Sequence, residues 1–92
     1  MIARIQGEGQ VKLADSVFTE LNRLDDELLN EIESGDDEGF RRALGELLDA
    51  VRRLGTPLPD DALEPSELIL PASDASIDEV RAMLSDDGFI PG

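Results

Sequence analysis

The chain has 92 residues, of which 22 are acidic and eight are basic, and its net charge is −14. This charge argues against direct binding to nucleic acid or to an anionic membrane surface, because both repel a polyanion. Cysteine and histidine are absent, which excludes disulfides, thiolate chemistry and the commonest metal ligand and acid–base group. We therefore expect no metal, no cofactor and no enzymatic activity.

The length fits a single small domain spanning residues 1–92. Only three Phe and no Trp or Tyr are present, so the core must consist of Leu, Ile and Val. The N-terminal sequence lacks the basic segment and apolar run of a signal peptide. No apolar stretch approaches the roughly 20 residues that a membrane span requires. These features predict a soluble, cytoplasmic protein.

The N-terminus is typical of a small β-hairpin. Ile2 and Ile5 precede Gly7-Glu8-Gly9, and Val11 and Leu13 follow at alternate positions. The two glycines can supply the positive φ angles of a tight loop. Because two strands alone are marginally stable in water, we expect this hairpin to pack against helices.

Two amphipathic helices joined by a tight turn are predicted between Ser16 and Leu54. Their apolar residues recur at intervals of three and four, which places them on one face of a helix. These residues are Val17, Leu21, Leu24, Leu28 and Ile32 in the first helix, and Phe40, Leu44, Leu47, Val51 and Leu54 in the second. Gly35 can adopt the left-handed conformation that ends a helix, and Asp36 can cap the next one. So short a connection makes the two helices antiparallel, with their apolar faces together.

The ends and charges of these helices allow further predictions. Asp15 or Ser16 can cap the first helix, and Gly55 ends the second before a proline-rich segment. The predicted solvent face of the first helix is acidic, with Glu20, Asp25, Asp26, Glu27, Glu31 and Glu33. In the second helix, ion pairs are expected at helical spacing, namely Arg42 with Glu46, and Asp49 with Arg52 or Arg53.

The C-terminal part begins with a proline-rich acidic connector, residues 56–65. A short apolar run around Ile69 follows and ends at Pro71, which predicts a third strand beside the N-terminal hairpin, at an edge of the sheet. Ser76 and Glu79 have the spacing of a capping box. They predict a helix of about three turns, with Ile77, Val80 and Leu84 on its apolar face, Gly88 at its end, and Phe89-Ile90 docked on the core.

The predicted fold class is therefore α+β. It consists of an antiparallel helical hairpin plus a short C-terminal helix, with a small two- or three-stranded sheet formed by the N-terminal β-hairpin and the strand centred on Ile69.

A series of short segments, in fixed order along the chain, provides a further signal. They are Met1-Ile-Ala-Arg-Ile, Gly7-Glu-Gly-Gln10, Leu21-Asn-Arg-Leu-Asp25, Phe40, Leu47-Leu-Asp-Ala-Val-Arg-Arg53, Gly55-Thr-Pro-Leu-Pro-Asp60, Pro65-Ser-Glu-Leu-Ile-Leu-Pro71 and Gly88-Phe-Ile-Pro-Gly92. In this order the chain resembles the phage-shock-protein-A-associated family (PspAA) of actinobacteria and archaea. No single segment is chemically distinctive, so the specificity of the resemblance lies in their order and spacing.

The resemblance implies a function based on protein binding. Members of the family look like small non-enzymatic partners of a phage-shock protein A (PspA) homologue, a coiled-coil protein that coats or supports damaged membranes. It thus implies a cytoplasmic adaptor or regulator in the envelope-stress response. The net charge adds the expectation that the protein contacts neither membrane nor nucleic acid directly. The resemblance identifies no binding surface and gives no oligomeric state.

The charge distribution suggests where such a partner binds. Residues 56–92 contain nine acids and one base, Arg81. Prolines limit the flexibility of the connector, so its acids would lose less entropy on docking to a basic stretch of coiled coil. We therefore predict partner binding by the connector acids, which are Asp60, Asp61, Glu64 and Glu67. The alternatives are that the connector is only a solvated linker, or that the partner binds the acidic face of the first helix around Asp25, Asp26 and Glu33.

Two other functions are compatible with the sequence. An acidic inhibitor or antitoxin-like protein could mask a basic partner surface, including one that otherwise holds nucleic acid. A small hydrolase relying on carboxylates alone is the third, although paired catalytic carboxylates would need a cleft and perturbed pKa values. Copurification distinguishes the adaptor from the inhibitor. An adaptor should recover a coiled-coil protein, and an inhibitor should recover a basic nuclease or DNA-binding protein.

Overall fold

The computed structural model describes residues 1–59 and 64–84, and it has the predicted α+β architecture. Two long helices pack against one face of a four-stranded sheet, and a short helix follows. The strands are β1 Ile2–Ile5, β2 Gly9–Lys12, β3 Thr56–Pro57 and β4 Leu68–Leu70. The helices are α1 Phe18–Ser34, α2 Asp37–Leu54 and α3 Ile77–Met83. The sheet order is β3-β2-β1-β4.

The N-terminal β-hairpin forms as predicted. β1 and β2 are antiparallel, and the turn between them contains Gly7 with φ 82° and Gly9 with φ 141°. Ala3 lies opposite Val11 of β2 and opposite Leu68 of β4. Because side chains alternate across a strand, these residues share the face that is covered by the helices.

Of the two edge strands of the sheet, β4 was predicted from the sequence and β3 was not. β4 runs parallel to β1 at an edge, and the outward-facing Ile69 is 50 % exposed. At the other edge, β3 pairs antiparallel with β2 through Val11↔Pro57 and Lys12↔Thr56. We had assigned these two residues to the connector. A proline is acceptable there because an edge strand can dispense with a donor on one side.

The helical hairpin is confirmed, together with most of its predicted core. Gly35 has φ 74°, and its N–H donates to the carbonyl oxygens of Glu31 at 3.1 Å and Ile32 at 3.2 Å, which ends α1. Eight of the ten predicted stripe residues are buried in one cluster, namely Leu21, Leu24, Leu28, Ile32, Phe40, Leu44, Leu47 and Val51. Val17 is partly buried. Leu54 is 36 % exposed, so its predicted burial was wrong, because it is the last residue of α2 and no further turn of that helix covers it.

The caps of the two long helices differ from the prediction. The chain enters α1 through a 3₁₀ turn, Asp15–Val17, and no side chain caps the helix at Val17. Asp36 occupies the N-cap position of α2 but makes no side-chain cap bond. A 3₁₀ turn supplies its own backbone bonds, including the bond from the Val17 N–H to the carbonyl of Ala14 at 3.2 Å, and so reduces the need for a side-chain cap.

Gly55 ends α2 for a reason that the sequence did not reveal. Its φ is −91°, so the left-handed conformation is not what requires glycine here. A Cβ at this position would lie 2.6 Å from a methyl group of Val11 and 2.7 Å from the carbonyl oxygen of Val51. The absent side chain therefore allows the end of α2 to approach β2 closely.

The short helix α3 is attached to the hairpin at two points. Its capping box is present, because the N–H of Glu79 donates to Ser76 Oγ at 3.2 Å and the N–H of Ser76 donates to Glu79 Oε1 at 3.3 Å. Val80 is fully buried in the core. Arg81 donates from Nη2 to the carbonyl oxygen of Ile32 at 2.8 Å, where α1 ends, and positive charge there complements the helix dipole.

The helix is shorter than predicted. It spans seven residues, about two turns, with Leu84 as its C-cap. The predicted end at Gly88 and the docking of Phe89-Ile90 lie outside the described residues.

Leu44→Ala is expected to lower the free energy of unfolding by about 2–5 kcal/mol. Leu44 is 1 % exposed, so the truncation leaves a cavity in the shared core. Leu54→Ala removes the same atoms from the same helix at a 36 % exposed position, and its effect should be about 1 kcal/mol or less. Chemical denaturation measures both. Equal losses would show that Leu44 does not contribute to the core in the way described.

Candidate interaction surface

The acidic connector has its described second half on the face of the sheet opposite the helices. It joins β3 at one edge to β4 at the other, and its second half is attached to Gln10. The Gln10 side chain donates from Nε2 to the carbonyl oxygen of Glu64 at 2.6 Å and to Ser66 Oγ at 2.8 Å. Since Val11, the next residue, points into the core, Gln10 points away from the helices.

The structure describes two of the four predicted partner-binding acids. Glu64 and Glu67 are both exposed, and the Glu67 N–H donates to the carbonyl oxygen of Ile2 at 2.9 Å. Asp60 and Asp61 lie outside the described residues. The binding role of the connector acids therefore remains a prediction, and of the four only Glu64 and Glu67 are seen to lie beside the sheet.

The alternative acidic face of α1 needs one correction. Asp26 and Glu33 are exposed as expected, but Asp25 is only 2 % exposed. Its position explains the burial, because Asp25 follows Leu21 by four residues and precedes Leu28 by three, which puts it on the buried stripe. The same spacing rule that identified the stripe could have excluded Asp25 from the solvent face.

A shallow groove runs along the outer seam of α1 and α2, away from the sheet. It consists of two adjoining depressions of about 680 and 440 Å³ that share Arg23, Leu24 and Glu46. We call this feature the hairpin groove. Its floor contains small or apolar residues, and its walls are charged. The floor residues are Leu24, Gly39, Ala43 and Ala50, and the wall residues are Glu20, Arg23, Glu27, Glu31, Arg42, Glu46, Asp49, Arg52 and Arg53.

The wall formed by α1 is organised by Arg23. Its guanidinium donates to Glu20 at 2.9 Å and to Glu27 at 3.0 Å. The hydrogen bond to Glu20 is the main reason that the pKa of Arg23 lies above its ordinary value. With Glu31 included, this wall has a net negative charge.

The wall formed by α2 contains one predicted ion pair and lacks another. Arg52 binds Asp49 at 2.7 Å, as the spacing predicts. Arg42 forms no ion pair with Glu46. Here the base precedes the acid, which is the less favourable order on a helix.

Arg52 also fastens the β-hairpin to α2. Its Nε donates to Glu8 Oε1 at 2.7 Å and its Nη2 binds Glu8 Oε2, so the contact is bidentate. Glu8 belongs to the turn between β1 and β2, 44 positions away in sequence. The hydrogen bond from Arg52 holds the pKa of Glu8 below its ordinary value. Sequence spacing could not predict this pair, because its two partners meet only in the folded protein.

Two kinds of site are absent from the described part of the chain. Residues 1–59 and 64–84 contain no group of acidic side chains arranged to hold a metal ion. Within the same ranges, no helix is long and apolar enough to cross a membrane. The candidate functional features are therefore the acidic connector and the hairpin groove.

The Glu8–Arg52 pair should make stability depend on acid pH. Because the pKa of Glu8 is lower in the folded protein than in the unfolded chain, the pair stabilises the fold above the unfolded pKa, and the effect disappears as pH falls through the folded pKa. We expect Glu8→Gln to be less stable than the parent at pH 7 and equal to it in strong acid. Denaturation curves across this range measure the difference, and a pH-independent gap would contradict the assignment.

Comparison with known proteins agrees with the resemblance found in the sequence. No curated protein and no solved structure matches the chain significantly. The family model for the PspA-associated protein, PspAA, matches residues 1–92, the whole length of the chain. The chain therefore belongs to the PspA-associated protein family.

Proposed function

We propose that this protein is a non-enzymatic cytoplasmic adaptor or regulator that binds a PspA homologue in the envelope-stress response. The observation that carries the proposal is the match of the entire chain to the PspA-associated family. The family description indicates association with PspA. The adaptor role and the stress response are the parts that we add.

The charge of the protein suggests how it would reach a membrane-bound partner. A net charge of −14 disfavours direct contact with anionic lipid. The long helices are amphipathic, but their apolar faces are buried in the core, so neither can lie in the membrane surface as an interfacial helix does. Recruitment to a membrane would therefore depend on the partner protein.

The connector acids fit a role in the encounter with that partner. Glu64 and Glu67 are exposed beside the sheet, on a segment attached through Gln10. Exposed charges at the rim of an interface act mainly on the association rate, and salt screens them. We assign the connector acids to steering of a basic stretch of the partner.

A second candidate function is favoured by the acidic composition. An inhibitor that masks a basic protein surface would also be attracted to it by an excess of acids, here 22 against eight bases. Copurification distinguishes the two functions. Recovery of a coiled-coil, membrane-associated protein supports the adaptor, whereas recovery of a basic nuclease or DNA-binding protein supports the inhibitor.

Liposome flotation tests the adaptor role directly. With vesicles containing anionic lipid, the purified protein should stay in the lipid-free bottom fraction, because like charges repel. After addition of the PspA homologue from the same organism, it should rise with the vesicles. Flotation without the PspA homologue would contradict indirect recruitment, and absence from the vesicles despite bound PspA would contradict the adaptor function.

Neutralising the connector tests its steering role. The variant Asp60→Asn, Asp61→Asn, Glu64→Gln, Glu67→Gln should associate more slowly with the PspA homologue and with a weaker dependence on salt. Stopped-flow or surface-binding kinetics measure both quantities.

A matched pair of double variants controls for overall charge. Glu64→Gln with Glu67→Gln removes two acids from the connector, and Asp26→Asn with Glu33→Gln removes two from the exposed face of α1. The connector pair should slow association more than the α1 pair. The reverse order would assign steering to α1.

A further inference from the structure

We propose that the hairpin groove is the docking site for one helix of the coiled-coil partner. This inference rests on the proposed function and adds the surface to it. The helix would present carboxylates eleven residues apart to Arg42 and Arg53, and basic side chains to the opposite wall.

The shape of the groove suits a helix. Its floor on α2 consists of Gly39, Ala43 and Ala50, which share one side of the helix and have small side chains or none. Small residues let the backbones of packed helices approach closely. The carboxylate of Glu31 occupies the space that a Cβ at Gly39 would take, so this acid reaches across from α1 to the start of α2. From Gly39 to Ala50 the floor extends about 16 Å, or roughly three helical turns.

The chemistry of the walls argues against a small-molecule pocket. Such pockets are concave, mostly apolar and able to enclose their ligand. Here the walls are charged side chains, all of them exposed except the half-buried Glu31. Only the floor is apolar, and it is nearly covered, because Leu24, Ala43 and Ala50 are 6 %, 5 % and 2 % exposed. A partner helix that lays a narrow apolar stripe on the floor and its flanking charges along the walls matches this pattern.

Two arginines of the groove provide the charge complementarity for a partner helix. Arg23, Arg41 and Arg52 form ion pairs, and Arg81 binds a backbone carbonyl oxygen. Arg42 and Arg53 pair with no acid within residues 1–59 and 64–84, although the protein has 22 acids. Eleven residues make slightly more than three turns, so these two arginines lie on one side of α2, about 16 Å apart. They are positioned to receive carboxylates from outside.

The opposite wall has the other sign. On α1, Glu20 and Glu27 flank the single base Arg23, and Glu31 continues the acidic row. On the α2 side, three arginines face the two acids Glu46 and Asp49, so that side has a net charge of +1. An occupant therefore needs acids along one flank and bases along the other, as charged residues flank the seam of coiled-coil helices. A uniformly basic peptide would be repelled by Arg42 and Arg53.

Charge reversal tests the proposal with the purified, full-length PspA homologue as probe. Arg42→Glu with Arg53→Glu should raise the dissociation rate constant at least about tenfold, because these side chains become desolvated in the complex. The matched control is Arg4→Glu with Lys12→Glu. It reverses two exposed bases on the sheet that form no ion pair within residues 1–59 and 64–84, and it alters the net charge equally. It should leave the dissociation rate within about twofold. Melting temperatures of both variants verify folding.

Site-specific cross-linking gives an independent result. The chain contains no cysteine, so Glu46→Cys in the groove and Lys12→Cys on the sheet each carry a single photoreactive label. We expect cross-links from position 46 to the partner and few from position 12. Cross-links from position 12 alone, or from position 46 to a second copy of this chain, would overturn the groove assignment.

The outcomes distinguish failure of the proposed function from failure of the proposed docking site. If the parent protein does not bind the PspA homologue, the proposed function fails. If the parent binds and the Arg42/Arg53 variant binds with the same dissociation rate, the groove is not the docking site and the proposed function stands.

Discussion

The reversal of the chain at Gly35 is the constraint on which the rest of the structure depends. Only two residues separate α1 from α2, and Gly35 adopts φ 74° to make this possible. The helices are therefore antiparallel neighbours, and one face of the pair is fixed toward the sheet. Their outer seam is fixed at the same time, since the groove runs beside the two buried stripes and shares Leu24 with the stripe of α1.

The small sheet is stabilised mainly by its contacts with the two long helices. Strands of two to four residues would be marginal alone. They become stable here because their inner face joins the helical core, because Gly55 lets α2 end against Val11, and because Arg52 holds the turn at Glu8. The connector is in turn attached to this sheet by Gln10. One rigid hairpin thus positions the groove directly and the connector indirectly.

The sequence allowed prediction of the features that are encoded locally. Helical periodicity, the left-handed glycine and the capping box each depend on neighbours within a few positions, and all three were confirmed. β3 was missed because two residues, Thr56–Pro57, carry no periodicity. Asp25 was misplaced although its spacing from Leu21 and Leu28 marked it as buried. The groove could not be predicted, because its floor and walls combine residues from two helices whose rotation about their axes is set by tertiary packing.

The most direct test of the central claim follows the alanine methyl groups by NMR. Ala43 and Ala50 are 5 % and 2 % exposed in the floor of the groove, whereas Ala3 is fully buried on the face of β1 that the helices cover. In a ¹³C-methyl-labelled alanine sample titrated with the unlabelled PspA homologue, the account predicts shifts or selective broadening at Ala43 and Ala50 while Ala3 is least affected. Perturbation at Ala3 with unchanged signals from Ala43 and Ala50 would contradict binding in the hairpin groove.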